Sequence, residues 1–230
     1  MEKDIKHIGI IAVTSEGASL IYKYICLESQ KYLGKYRHPE ISLHTFSFSE
    51  HLHFGDDRLE KWSSLIIKSI QKLERLEVDF VICPSNTPHE VYNLVLPHIH
   101  VPWLHIAEEV KKEAIKQKCE NVLLLGTEFT FNSILYPDMF RDSGITLNLP
   151  SKKHQQTINQ IIQTELILGT VTNESKEKIK EILSTYESKN DTVILGCTEL
   201  PLIISQENTQ MNILDSVSLL GDASIKKAIG

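Results

Sequence analysis

Two three-residue turns carry the side chains best suited to moving protons, Ser85-Asn86-Thr87 and Cys197-Thr198-Glu199. Each follows a short apolar run, "DFVICP" (79–84) before the first and "TVILG" (192–196) before the second. A thiol has a reference pKa of about 8.5, near enough to neutrality to serve as either acid or base. Cys197 stands after Gly196 and before Thr198, where the free N–H groups of a helix start would favour its thiolate, so a lowered thiol pKa is expected there. Asn86, Thr87, Thr198 and Glu199 form a set that could hold a small carboxylate and its amine. Helix N-capping is the other reading of those residue types. Thr127, in "LGTEFT", offers one more hydroxyl, with the same two readings.

Positioning such turns requires strands that end just before them. Short apolar, β-rich runs recur at 7–13, 41–48, 79–84, 101–106, 121–126, 145–149, 192–196 and 211–215. Between them lie stretches with apolar residues every three or four positions, such as "LEKWSSLIIKSIQKLERL" (59–76) and "HQQTINQIIQTELILG" (154–169). Parallel strands need helix-length crossovers, so this alternation predicts an α/β fold with mostly parallel sheets flanked by helices. In open sheets of this kind ligands bind beyond the carboxyl ends of the strands, where both turns fall.

The chain also repeats itself. "HIGIIAVTSEGASLIY" (7–22) lies on "NVLLLGTEFTFNSILY" (121–136) at an offset of 114, and "DFVICPSNTPH" (79–89) lies on "DTVILGCTELP" (191–201) at an offset of 112. Two nearly equal offsets in the same order predict two pseudo-symmetric lobes, with the site in the cleft between them. The expected boundaries are 1–103 and 104–204, with 205–230, including "SVSLLGDASIKKAIG", supplying a helix that packs back on the first lobe. The repeat puts Ser85 in register with Cys197. It puts Cys83 on Leu195, inside a strand, which predicts packing for Cys83.

These residues resemble the aspartate/glutamate racemase superfamily. "LGCTEL" (195–200) is similar to its second signature and "SNTPH" (85–89) to its first, usually C-N-T-x-H; "HIGIIAVTSEG", "PWLHIAE", "LLLGTEFT" and "INQIIQTELILG" extend the likeness over nearly the whole chain. The resemblance implies a cofactor-independent amino-acid racemase acting on aspartate, glutamate or a related amino acid or dicarboxylate, and a homodimer. It implies Cys197 as the principal base and acid, with Ser85 where the opposite cysteine usually stands. Inversion at a carbon needs an acid and a base on opposite faces, and thiols can hold pKa values near working pH.

Three departures bear on that activity. Ser85 is a hydroxyl where a thiol is usual, and a hydroxyl needs an adjacent base. The first loop reads Ala12-Val13-Thr14-Ser15 in place of a glycine-rich loop, leaving Ser15 as its candidate substrate contact. Leu220 stands where relatives often carry a histidine. Two alternatives arise: a lyase that protonates a carbanion from one side with a single thiol, as arylmalonate decarboxylases of similar fold do, and an amino-acid or carboxylate-binding protein without turnover.

Other classes lack support. With 24 basic and 30 acidic residues, no region has the basic excess that nucleic acid demands. No apolar run approaches a membrane span, and the N-terminal apolar run is too short for a signal-peptide core, so a cytoplasmic location is expected. Cys26, Cys83, Cys119 and Cys197 have no C-x-x-C spacing, and His51 and His53 lack a third ligand, so no metal is expected. No phosphate-binding glycine loop and no Schiff-base lysine are seen, so no cofactor is expected either. His89 falls in the first turn of a helix and is not read as a base, and Glu165 is read as facing water.

Overall fold

The computed structural model describes residues 5–52 and 55–230; His53 lies outside them. The chain forms two compact units, one of Met1–Glu109 with Val217–Gly230 and the other of Val110–Ser216.

The first unit is built on a parallel sheet of order β2-β1-β3. The strand β1 (Ile8–Ala12) is central and buried at every position, which is why it reads as an unbroken apolar run rather than an alternation. It pairs with β2 (Ile41–Thr45) on one side and β3 (Phe80–Ile82) on the other. Gly9 permits that packing, since a Cβ there would stand 2.9 Å from Val81 Cγ1. The helices α1 (Ser15–Glu28) and α2 (Gln30–Leu33) lead from β1 to β2, and α3 (Arg58–Glu74) leads from β2 to β3. Buried Trp62, Ile66, Ile70 and Leu73 recur on α3 at the helical period and cover one sheet face together with Ile11, Val81 and Cys83. A 3₁₀ turn, Thr87–Val91, then runs into α4 (Tyr92–Val95).

Residues 101–106, expected as a strand, contribute a single bridge, Trp103 to Val81. Val81 N donates to Pro102 O and Leu104 N to Val81 O, but Pro102 has no N–H to extend the ladder and α5 (Ile106–Lys116) begins at once.

The second unit repeats this plan with one more full strand. Its parallel sheet has the order β5-β4-β6-β7. The strand β4 (Asn121–Leu125) is followed by α6 (Glu128–Asn132), α7 (Leu135–Phe140) and edge strand β5 (Thr146–Asn148). Then α8 (Lys152–Thr164) and α9 (Asn173–Tyr186) precede β6 (Thr192–Leu195) and β7 (Asn212–Asp215). The helix expected over 154–169 stops at Thr164. Glu165 instead accepts from Ser175 Oγ at 2.6 Å and Thr172 N at 3.1 Å, tying α8 to the start of α9. The core joins Leu123, Leu125, Val193 and Leu195 to Ile158 and Ile162 of α8 and Ile179 and Leu183 of α9.

The final helix, α10 (Ser216–Ile229), places Val217, Leu220, Ile225 and Ala228 against Ile8, Ile10, Ile21 and Ile82 of the first unit. Only 217–230 belong to that unit, not the whole of 205–230, because β7 pairs with β6 through Asn212–Asp215.

Strand register carries the internal repeat. Ile8 opposes Phe80 and Ile10 opposes Ile82, while Val122 opposes Thr192 and Leu124 opposes Ile194, the same pairs displaced by 114 and 112 residues. Among the described residues no helix is long and apolar enough to cross a membrane.

Candidate active site

Each sheet has one place where the chain reverses its direction of travel across the strands, between β1 and β3 in the first and between β4 and β6 in the second. Loops leaving neighbouring strands there diverge and open a crevice, the usual ligand position in open α/β sheets. Ser15, Ser85, Asn86 and Thr87 follow β1 and β3 of the first unit; Thr127, Cys197, Thr198 and Glu199 follow β4 and β6 of the second.

In the second unit, Gly196 N donates to Leu125 O at 2.8 Å, extending the β4–β6 ladder by one residue. A Cβ on Gly196 would meet that same Leu125 O at 2.9 Å, so only glycine lets the strand approach this closely before turning. Thr130 Oγ donates to Gly196 O at 3.4 Å, and the Thr127 hydroxyl caps α6 by accepting from Thr130 N at 3.4 Å. Thr127 thus holds the turn partner of Gly196. Thr130 escaped notice in the sequence because its contact spans 66 residues.

Cys197 is nine-tenths buried, and its Sγ donates to Glu199 Oε2 at 2.9 Å. Thr198 and Glu199 are buried beside it. The expectation of a lowered thiol pKa is corrected here. Burial pushes the thiol well above its ordinary value, and the Glu199 carboxylate adds to this by repelling a thiolate and by accepting the thiol proton. The N–H groups of Thr198 and Glu199 pull the other way without prevailing. Beyond them the chain forms only a three-residue 3₁₀ turn, Leu200–Leu202, whose few aligned peptides give little of the field of a full helix.

The first unit is built differently at the matching turn. Cys83 lies fully buried in the core, its Sγ directed to Ser85 O at 3.7 Å and its thiol pushed up to about 12 by burial. Ser85 is half-buried just beyond it, followed by buried Asn86 and half-buried Thr87. Asn86 makes no side-chain cap, although its carbonyl accepts from His89 N at 3.0 Å. His89 is buried, and its Nε2 donates to Cys83 O at 3.0 Å, pinning the backbone just before Ser85. Burial and the neighbouring His105 hold His89 well below the usual imidazole range, so the ring is neutral and anchors the turn. It packs against Trp103 and His105, each with ring centroids 4.8 Å away. Glu199 of the second turn corresponds in register to Thr87, so the first turn itself carries a hydroxyl where the second carries a carboxylate.

Ser15 is exposed at the first residue of α1, its Oγ donating to Glu16 Oε2 at 2.5 Å, and Thr14 supplies the cap by accepting from Gly17 N at 3.2 Å. Leu220 is fully buried in the core beneath β1. Among the described residues no group of three or more His, Cys, Asp or Glu is arranged to hold a metal ion.

Residues 37–222 match the family model of the Asp/Glu/hydantoin racemases. The chain is 28% identical to the broad specificity amino-acid racemase RacX of Bacillus subtilis over 167 residues, 72% of each chain. It is 29% identical over 136 residues to a glutamate racemase of Staphylococcus epidermidis, covering half of that protein. An aspartate racemase homologue from Pyrococcus horikoshii superposes with a TM-score of 0.89 at 30% identity, covering 98% of this chain and all of the other. The glutamate racemase of Francisella tularensis, solved in complex with D-glutamate, shares the fold with a TM-score of 0.71 at 16% identity, covering 97% of this chain and 81% of that one.

These environments lead to two expected outcomes. Replacing Glu199 by Gln removes both the repelling charge and the ionic acceptor, so the pH midpoint for alkylation of Cys197 by iodoacetamide should move down; an unchanged or higher midpoint would contradict the role given to Glu199. His105 is likewise held down by burial, to about 4. A base with a depressed folded pKa contributes stability that is full above the unfolded value of about 6.5 and is lost as pH falls toward the folded one. The protein should therefore lose about 1.4 kcal/mol per pH unit through this histidine between those limits. His105 Nδ1 accepts from Glu108 N at 3.3 Å, so His105→Asn keeps a cap acceptor and should flatten the decline in urea denaturation between pH 6.5 and 4.

Proposed function

Because the chain belongs to the Asp/Glu/hydantoin racemase family, we propose that it racemises a small amino acid without a cofactor, using Cys197 as its principal base and acid. The observation that carries this reading is the contact of 2.9 Å between Cys197 Sγ and Glu199 Oε2. A thiol raised by burial is a poor base unless its proton has somewhere to go, and Glu199 is placed to accept it. In the forward direction the thiol proton passes to Glu199, the thiolate removes the α-proton, and the carbanion is protonated from the opposite face. By the register of the repeat that second group is Ser85, directly or through a water it holds; the proton it gives up is replaced from solvent as Glu199 releases its own to solvent.

Ser85 can return a proton more readily than it can remove one, because a serine hydroxyl is a much weaker acid than a thiol and its own turn offers Thr87 where Cys197 has Glu199. Exchange of the α-proton with solvent should therefore be faster from the enantiomer whose α-proton faces Cys197, whereas kcat/KM for inversion is equal in the two directions because the enantiomers have the same free energy. Asn86, Thr87, Thr198, Thr127 and Ser15 offer the hydroxyl, amide and backbone N–H groups for the substrate's carboxylate and amine.

A single-thiol lyase has one observation in its favour: Cys197 is held protonated, as a group delivering a proton to one face of a carbanion would be. Release of carbon dioxide from substituted malonates, with no racemisation of any amino acid, would select that reading.

Exchange of the α-proton in deuterated water tests the proposal. Cys197→Ala should abolish exchange for both enantiomers while the circular dichroism spectrum is retained; exchange at the wild-type rate would sink it. Ser85→Cys should raise exchange from the slower enantiomer by about 10- to 100-fold, toward equal exchange from the two enantiomers, since a positioned acid or base of matched pKa contributes on that order or more.

A further inference from the structure

The first unit has a depression of about 350 Å³ at the carboxyl ends of β1 and β2, beside the loop that carries Ser15. Its size suits a small ligand or one substituent of it. Val13, Tyr22, Leu43, Phe46 and Phe48 supply most of its wall. Its polar side-chain groups are hydroxyls, from Thr14, Ser15, Ser19, Tyr22 and Thr45, and among the described residues no Lys, Arg or His lines it.

Strand alternation explains the missing cation. Leu43 and Thr45 of β2 face the depression with Ala18, Ser19 and Tyr22 of α1. His44, between them, points to the other face, where its Nδ1 meets Ser69 Oγ of α3 at 2.8 Å and its Nε2 meets Lys72 Nζ at 3.0 Å. Lys72 also lies over the ring of Phe46, 4.5 Å from its centroid, so this ammonium is engaged by His44 and by an aromatic face of the wall and does not itself line the depression. On the depression's own side the charge is negative, since Ser15 donates to the Glu16 carboxylate. Among the described residues that line it, a substrate carboxylate would find no cationic side chain, and it would meet a like charge at the rim. Tyr22, Leu43 and Phe48 are each about half exposed, so an apolar group seated among them would remove unfavourable surface from water.

We infer that this depression receives the side chain of the substrate and selects an uncharged, apolar amino acid of leucine, methionine or phenylalanine size over aspartate and glutamate. The inference rests on the racemase reading and on Ser15 being part of its site. The depression is continuous with that loop, and Val13 of the same wall packs in one cluster with Cys83, two residues before Ser85.

The test is a substrate profile with a binding arm. Wild-type protein in deuterated water should exchange the α-proton of leucine, methionine or phenylalanine at least about tenfold faster than that of aspartate or glutamate, the discrimination expected when one ligand leaves a buried charge unpaired. Leu43→Lys, at a half-exposed position that the core does not need, should cut that ratio about tenfold or more. Aspartate or glutamate exchanging fastest in the wild type would overturn the inference and leave the racemase reading standing. If no amino acid exchanges, saturation-transfer NMR separates the two claims. Leucine binding that exceeds aspartate binding and is lost in Leu43→Lys upholds the subsite and removes the racemase reading; no preference for leucine removes the subsite.

Discussion

Parallel pairing of β1 with β3 and of β4 with β6 is the constraint on which the rest of the structure depends. Strands buried on both faces are mainly apolar, so polar side chains that could do chemistry are displaced to the first residues after each strand ends. The ladder reaches its last bond at Gly196 N to Leu125 O, and the next residue is Cys197. Glycine at 196 is part of the same constraint, because a Cβ would press on the carbonyl that ends the ladder.

Duplication gives two such strand ends, yet the two turns have diverged in the group that controls each. Glu199 sits against the Cys197 thiol, raising its pKa while offering a destination for its proton. At the first turn the corresponding residue is Thr87, and the nearby titratable group, His89, is spent on the carbonyl of Cys83 and kept neutral by burial among Trp103 and His105. One turn therefore holds a titratable pair, and the other a hydroxyl on a backbone tied to His89 through the carbonyl of Cys83. That difference in environment, as much as the exchange of thiol for hydroxyl, sets the two turns apart.

Much of the fold was legible because hydrophobic periodicity answers directly to burial. The all-apolar run at Ile8–Ala12 marks a central strand, the three- and four-residue spacing of Trp62, Ile66, Ile70 and Leu73 marks a one-faced helix, and the repeat offsets reappear as strand register. The expected strand at 101–106 reduced to a bridge at Trp103 because Pro102 withholds a donor, a local effect that apolar character alone does not reveal. The helix ending at Thr164 was set by Glu165 bonding forward to Thr172 and Ser175, a capping choice that competes with helical continuation.

For the candidate site, sequence alone determined which residues follow the strands, that Ser85 and Cys197 are equivalent, and that Cys83 is a packing residue, since each of these depends only on order along the chain and on apolar pattern. Tertiary structure decided the protonation of Cys197, the anchoring of the Ser85 turn by His89, and the absence of a cation among the described residues around Val13, Leu43 and Phe48. Those properties depend on burial depth and on which charges lie within a few ångströms of a group. Such distances exist only once segments far apart in the chain have packed, and that is why the short spacing from Cys197 to Glu199 could be read as a ligand-binding set before it could be read as an acid–base pair.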